Sequence, residues 1–368
     1  MTTMAMRQYD AEFVAVEEIR AAALKNLPPE VADYLETGAG TEATLRANRA
    51  AFGRRVIRPR PMSGVSDPRT STTLLGIPLS VPVLTAPFGG DVMFSPDGHL
   101  AVARANTACG TASMVPEVGS FSYEEVRAAA PAAARIAQVH PFASFDYVVK
   151  RIREAGYDAL CVTVDCTLPG IRVRHRKNRF TPELSAYSGN VTGDGTPSVA
   201  ATYGPLFTDE MPAWDWARLA EATARHGMPW IAKGILTAES ALAALDAGVS
   251  AIYVSSHGGR QVDPAPASLD ALPEVAAAVA GRVPILLDSG VRTGADVLIA
   301  LALGADAVVI GRLAAYGLAA AGEAGVRRVI ELLTEELRTL MILAGIPDVR
   351  HIPHGTVAER TAPARDRG

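Results

Sequence analysis

Ala251-Ile252-Tyr253-Val254-Ser255-Ser256-His257-Gly258-Gly259-Arg260-Gln261 is an apolar run that breaks into a glycine-rich turn carrying a histidine and an arginine. The run reads as a buried strand. A His and an Arg three residues apart, on a turn at the strand's C-terminal end, can point into one cavity. The His can take a proton, and the Arg can hold a carboxylate by a two-pronged hydrogen bond. Taken alone, the stretch also reads as a surface turn with a chance histidine. Its surroundings decide between the two.

Outward from this stretch, short β-like runs alternate with Ala-rich helical segments. The strands are expected at residues 81–86, 112–115, 135–139, 159–164, 230–233, 251–255, 284–288 and 307–310. Each ends in a polar or glycine-containing loop, and an amphipathic helix follows most of them. Such alternation argues for a parallel sheet. Roughly eight such units in about 250 residues fit a (β/α)8 barrel better than an open doubly wound sheet. The strand ends carry Gln138, Thr163, Asp165, Lys233, His257, Asp288 and Arg312. A purely structural barrel has no reason to gather these at one rim, where barrels place their chemistry.

The whole chain is expected to be one barrel domain. Residues 1–80 read as an N-terminal helical cap, with helices at 14–24 and 29–37 and Pro28 and Pro29 suited to a helix start. Residues 181–212, rich in Gly, Ser, Thr and Asp, form a long irregular loop after the fourth strand and are expected to be a mobile lid. The 360–368 tail is charged and expected to fray.

Of the 368 residues, 49 % are hydrophobic and 20 % charged, so a substantial core is expected. The net charge of −4, with both signs interspersed, gives no footprint for nucleic acid or an anionic membrane. No apolar run is long enough to span a bilayer, and no N-terminal signal pattern is present, so a cytoplasmic location is expected. Cys109, Cys161 and Cys166 show neither CxxC nor Cys/His spacing and read as reduced thiols, with packing the expected role for Cys161 and Cys166. No metal site is expected.

Asp288-Ser289-Gly290-Val291-Arg292-Thr293-Gly294 and Gly311-Arg312 end the last two strands. Loops in these positions often bind phosphate through backbone N–H groups and a helix N-terminus. Gly290, Gly294 and Gly311 permit close approach, and Arg292 and Arg312 supply charge. There is no Walker loop and no G-x-G-x-x-G after the first strand, which speaks against ATP or NAD bound in the usual ways. Lys233, in Ile231-Ala232-Lys233-Gly234, ends a strand that is otherwise buried. It reads either as a Lys snorkelling to the rim or as a cation that meets the electron-rich side of a reduced flavin.

With these motifs in this order, the chain resembles the FMN-dependent 2-hydroxy-acid oxidase and dehydrogenase family, which includes glycolate, lactate and 4-hydroxymandelate oxidases and mandelate dehydrogenase. Thr163-Val164-Asp165 and Lys177-Asn178-Arg179-Phe180 add to the resemblance. It implies FMN as cofactor and His257 as the base that accepts a proton as the substrate's α-carbon is oxidised. It further implies that Asp165 orients the imidazole, that Arg260 and Arg172 grip the substrate carboxylate, and that Tyr34 donates a further hydrogen bond. Ala86, Pro87, Phe88, Gln138, Thr163, Lys233 and Ser255 would line the flavin ring. Asp288, Gly290, Arg292, Gly311 and Arg312 would hold its phosphate end. A small carboxylate substrate, O2 or a separate electron acceptor, and a homotetramer are implied as partners.

The departures bear on the substrate. Phe88 stands where a small residue is common, Pro116 and Glu117 where serines are usual, Val118 where an aromatic is common, and Ser256 where asparagine precedes the histidine. His140 replaces a tyrosine that faces the substrate. Set beside His257 and two arginines, its imidazole is expected to stay neutral. Gly89 is expected to widen the space at the flavin's reactive edge and to favour oxidative decarboxylation. A non-standard acid or amine substrate, and a non-redox FMN isomerase, are the alternatives.

Overall fold

A computed structural model describes residues 12–142, 144–190 and 214–360. The eight expected strands form. They are β1 (Val83–Thr85), β2 (Ser113–Val115), β3 (Arg135–Val139), β4 (Ala159–Thr163), β5 (Trp230–Ile235), β6 (Ala251–Val254), β7 (Ile285–Leu287) and β8 (Ala307–Ile310). Each neighbouring pair is parallel, and β8 pairs with β1 to close the barrel. This is a (β/α)8 barrel.

A closed sheet has an inside and an outside, so successive residues of every strand point alternately to each. The inward set is Leu84, Met114, Ile136, Cys161, Ile231, Tyr253, Leu286 and Val309, one from each strand, packed as one buried cluster. The outward set, including Val83, Val115, Ala137, Val162, Ala232, Val254, Leu287 and Val308, belongs instead to the larger core shared with the surrounding helices. Strands buried on both faces read as continuous apolar runs, which is why they were visible in the sequence.

The N-terminal segment reaches both ends of the barrel. A hairpin, Thr72–Leu74 with Ile77–Leu79, inserts Leu74, Ile77 and Leu79 into the inward cluster and plugs the N-terminal mouth. Helix α1 (Val16–Asn26) packs on the long helix Arg312–Leu343 that follows β8. Helix α2 (Pro29–Glu36) carries Tyr34 and Leu35 to the opposite mouth, and α3 (Ala43–Gly53) lies against the turn at His257.

The segment expected as a lid spans residues 181–212. Residues 191–212 lie outside the described residues, but 181–190 are tied to the loop after β2. The Ser120 hydroxyl donates to the Ala186 carbonyl at 2.6 Å, Gly189 N–H to the Gly119 carbonyl at 3.0 Å, and the Asn190 amide to the Glu117 carbonyl at 2.9 Å. Of the tail, 361–368 likewise lie outside the described residues. Among the described residues, no helix is long and apolar enough to cross a membrane.

Because the inward layer is filled by side chains from every strand, truncating one leaves a cavity the closed sheet cannot collapse around. Leu286→Ala should cost about 2–5 kcal/mol in urea unfolding. A cost below about 1 kcal/mol would show that the layer repacks freely.

Candidate active site

The inward alternation continues past the strand ends. Two residues beyond Ile136, Cys161, Ile231, Tyr253 and Leu286 come Gln138, Thr163, Lys233, Ser255 and Asp288, all buried. Two further on come His140, Asp165 and His257. The rim polar groups are thus the next inward layer, set where the apolar filling ends and a cavity of about 290 Å³ begins.

His257 lies at the centre of this layer, with a left-handed backbone (φ 55°) that its surroundings hold in place. Its N–H donates to Ser255 Oγ at 3.0 Å, and Gly258 N–H donates to Ser289 Oγ at 3.0 Å. Gly258 also has positive φ, and a Cβ there would meet the Arg312 guanidinium at 2.8 Å. Ser256 is part of the same support. Asn48 Nδ2 from α3 donates to Ser256 Oγ at 2.8 Å, Ser256 Oγ to Ser289 Oγ at 3.1 Å, and Ser289 Oγ to Asp288 Oδ1 at 2.7 Å. Asn48 thus provides an amide beside the His257 turn, from a distant part of the chain.

His257 Nδ1 lies 3.2 Å from both Asp165 oxygens and 3.3 Å from Lys233 Nζ. The carboxylate assigns the proton to Nδ1 and leaves Nε2 as the acceptor. Burial pushes the imidazole pKa down, Lys233 adds to this, and Asp165 opposes it, so the ring is neutral at physiological pH. Burial works to raise the Asp165 pKa, but Lys233 and His257 outweigh it and hold it at about 2. Lys233 stays charged despite burial because Asp165 and Asp288 face it.

A second group forms around Tyr34. The Arg260 guanidinium lies 4.9 Å from the Tyr34 ring centre and that of Arg172 lies 6.0 Å away. Arg260 Nη1 donates to the carbonyls of Tyr34 and Thr37 at 2.8 and 3.1 Å, fixing it to the end of α2. Burial and the like charge of Arg172 push the Arg260 pKa down to about 9. Two part-buried guanidiniums on one wall favour a carboxylate between them. The Tyr187 hydroxyl donates to the Tyr34 hydroxyl at 3.2 Å. Nothing in the sequence pattern marked Tyr187 as part of the pocket.

Gly290, Arg292, Gly311 and Arg312 line the cavity beside the N-terminus of Arg312–Leu343. Arg312 donates to the carbonyls of Leu35, Gly258 and Thr37. Burial, with Arg292 close by, pushes its pKa down to about 10. A helix N-terminus and two part-buried guanidiniums suit a phosphate. These residues, with Lys233 and Gln138, fit the phosphate and ring of FMN.

All the expected cofactor residues line the cavity except Ser255, whose hydroxyl is turned beneath the catalytic turn. Of the expected catalytic residues, His257, Tyr34, Arg260, Arg172 and His140 line it, and Asp165 stands behind His257. Phe88 lines it too, against the rings of Phe94 and His99 at 5.9 and 4.6 Å.

Cys166 is buried and also lines the cavity. Two expectations are overturned. Gly89 opens no room, because a Cβ there would meet the Val118 carbonyl oxygen at 2.5 Å and the Tyr187 ring at 3.4 Å. His140 is not held neutral. Its backbone N–H and its Nδ1 lie 2.7 and 3.0 Å from the same oxygen, Glu117 Oε2. Burial alone would lower its pKa, but hydrogen bonding to Cys166 and Glu117 and the Glu117 charge raise it to about 9. The charge that faces the ring is Glu117 rather than the arginines, and it reaches His140 through the pairing of β2 with β3.

The chain matches the model of the FMN-dependent dehydrogenase family over residues 23–359. It is 39 % identical over 351 residues to a peroxisomal (S)-2-hydroxyacid oxidase of Arabidopsis thaliana, covering 94 % of this chain and 96 % of that protein. It is 40 % identical over 332 residues to the L-lactate oxidase of a Nostoc strain, covering 87 % and 91 %. A crystal structure of mandelate oxidase superposes with a TM-score of 0.84 at 36 % identity, over 92 % of this chain and 96 % of that one. A neutral histidine held by a carboxylate, an arginine pair and a phosphate cradle thus occur on a barrel shared with enzymes of one chemistry, and the chain belongs to the FMN-dependent 2-hydroxy-acid oxidase and dehydrogenase family.

Proposed function

We propose that this enzyme oxidises an (S)-2-hydroxy acid to the 2-keto acid, and that electrons pass on to O2. The observation that carries this reading is a neutral imidazole pinned between Asp165 and Lys233, in the same cavity as the Arg260–Arg172 pair. The oxidase names of the relatives support O2 as acceptor.

The substrate carboxylate would lie between Arg260 and Arg172, with the Tyr34 hydroxyl completing its hydrogen bonds. That grip sets C2 and its oxygen before His257. Oxidation removes two electrons and two protons from the C2–OH unit, and Nε2 of His257 takes up one of the protons. When bound, FMN would supply the acceptor for the two electrons and the second proton. Asp165 stabilises the imidazolium that forms, as an ionised carboxylate does for a general base elsewhere. A neutral base at rest and a nearby permanent anion are both required, and burial together with Lys233 provides the first. The filled space at Gly89 removes the ground for favouring oxidative decarboxylation.

His257→Ala should retain FMN, and its anaerobic flavin bleaching should slow by roughly 10²- to 10⁴-fold, the usual contribution of a positioned base. Bleaching at the parental rate would remove His257 from the chemistry. Arg260→Lys should raise the KM at least about tenfold, because a point charge cannot reproduce a two-pronged grip. An unchanged KM would place the carboxylate elsewhere. A panel running from glycolate and lactate to mandelate and 4-hydroxymandelate, read by the same bleaching, assigns the acid. A flavin that stays oxidised with every member would overturn the reading.

A further inference from the structure

His140 lines the cavity from the end of β3, and Glu117, from the loop after β2, lies directly behind it with its side chain 1 % exposed. β2 and β3 are neighbours in the barrel, so two residues far apart in the chain become a buried pair. Both the backbone and the ring of His140 face one Glu117 oxygen, which fixes the ring's orientation and places a proton on Nδ1. The ring is stacked on Phe142, with centres 4.8 Å apart and planes 11° apart. The Gln138 amide nitrogen lies 3.3 and 3.4 Å from the two ring nitrogens. Gln138 is itself oriented by Glu117 N–H at its oxygen and by Thr163 Oγ1 at its nitrogen.

Building on the hydroxy-acid reading, we propose that Glu117 and His140 form a preassembled ion pair whose His140 Nε2–H donates to the oxygen on C2 of the substrate. His140 is then a catalytic residue and Glu117 a positioning residue. Arg260, Arg172 and Tyr34 account for the two carboxylate oxygens, and the C2 oxygen is the one acceptor of a 2-hydroxy acid left to satisfy. That oxygen becomes more electron-rich as its proton leaves for His257. A cationic donor gains more from that change than a neutral one does. The pair is neutral as a whole, so the cation adds no net repulsion toward Arg172.

The groups acting on the ring come from each element packed against it. Glu117 follows β2, and Cys166 follows β4 with Asp165 beside it. Lys233 on β5 and Arg172 and His175 after β4 line the same cavity. Glu117 and Cys166 together raise the ring's pKa to about 9. A raised histidine pKa means that the donor is present below that value and lost as pH rises through it.

The test compares the pH dependence of anaerobic flavin reduction in the parent holoenzyme, Glu117→Gln and His140→Phe, with FMN content as the check on folding. The parent rate should fall as pH rises through about 9. In Glu117→Gln the fall should move to lower pH, toward the ordinary histidine value of about 6.5. In His140→Phe the rate should drop roughly 10- to 100-fold, as for loss of a charged hydrogen bond, and any fall left near pH 9 belongs to Arg260, which burial also brings to about 9. A pH profile that Glu117→Gln leaves in place would overturn the proposal.

Isotope-labelled histidine in the holoenzyme gives a reading independent of turnover, with the His140 signal identified by its loss in the Phe variant. A protonated ring at neutral pH that shifts on adding oxalate supports the pair, even if no acid in the panel bleaches the flavin. A neutral ring, or one that oxalate leaves unmoved, overturns it whether or not the hydroxy-acid reading holds.

Discussion

The closed sheet is the constraint from which the rest follows. With eight parallel strands joined edge to edge, each strand must turn every second side chain into a space only a few side chains wide. Those positions are filled by Leu84, Met114, Ile136, Cys161, Ile231, Tyr253, Leu286 and Val309 up to the level where the strands end. The same two-residue step then delivers Gln138, Thr163, Lys233 and Asp288, and above them His140, Asp165 and His257. No separate device is needed to bring these groups together. The loops provide the second wall, with Tyr34 from the N-terminal segment and Tyr187 from the segment after β4.

Crowding charges above an apolar core is costly unless each has a counter-charge. Lys233 faces Asp165 and Asp288, and His140 faces Glu117. Among the described residues, Arg172, Arg260, Arg292 and Arg312 have no carboxylate partner of comparable closeness. Burial depresses the pKa of Arg260, Arg292 and Arg312. Arg260 and Arg312 meet at the Thr37 carbonyl, so the two arginine pairs adjoin beside His257. This distribution matches a phosphate-bearing cofactor and a carboxylate substrate held in one cavity.

His257 and Asp165 also show how one environment sets two opposite states. Both are part-buried, yet the histidine is held neutral and the aspartate charged, because Lys233 acts on both with one sign. His140 is the converse case. It is more deeply buried, but a carboxylate replaces the ammonium as its near neighbour, and the ring is pushed toward the cation. Identity of side chain thus says little about charge state here, and the nearest buried ion decides it.

The sequence by itself determined the barrel and most of its rim. Strands covered on both faces are apolar without interruption, and a rim residue sits at a readable distance from the end of such a run. His257, Lys233, Asp288 and the glycine-arginine loops could be read in this way, and their order carried the family. Only the tertiary structure decided what the departures do. Glu117 meets His140 because β2 and β3 are paired, Asn48 meets Ser256 because α3 lies over the turn, and Val118 with Tyr187 fills the space beside Gly89. These are contacts between segments far apart in the chain. Local periodicity tells which face a residue occupies, but charge state and free volume depend on whichever segment packs against that face.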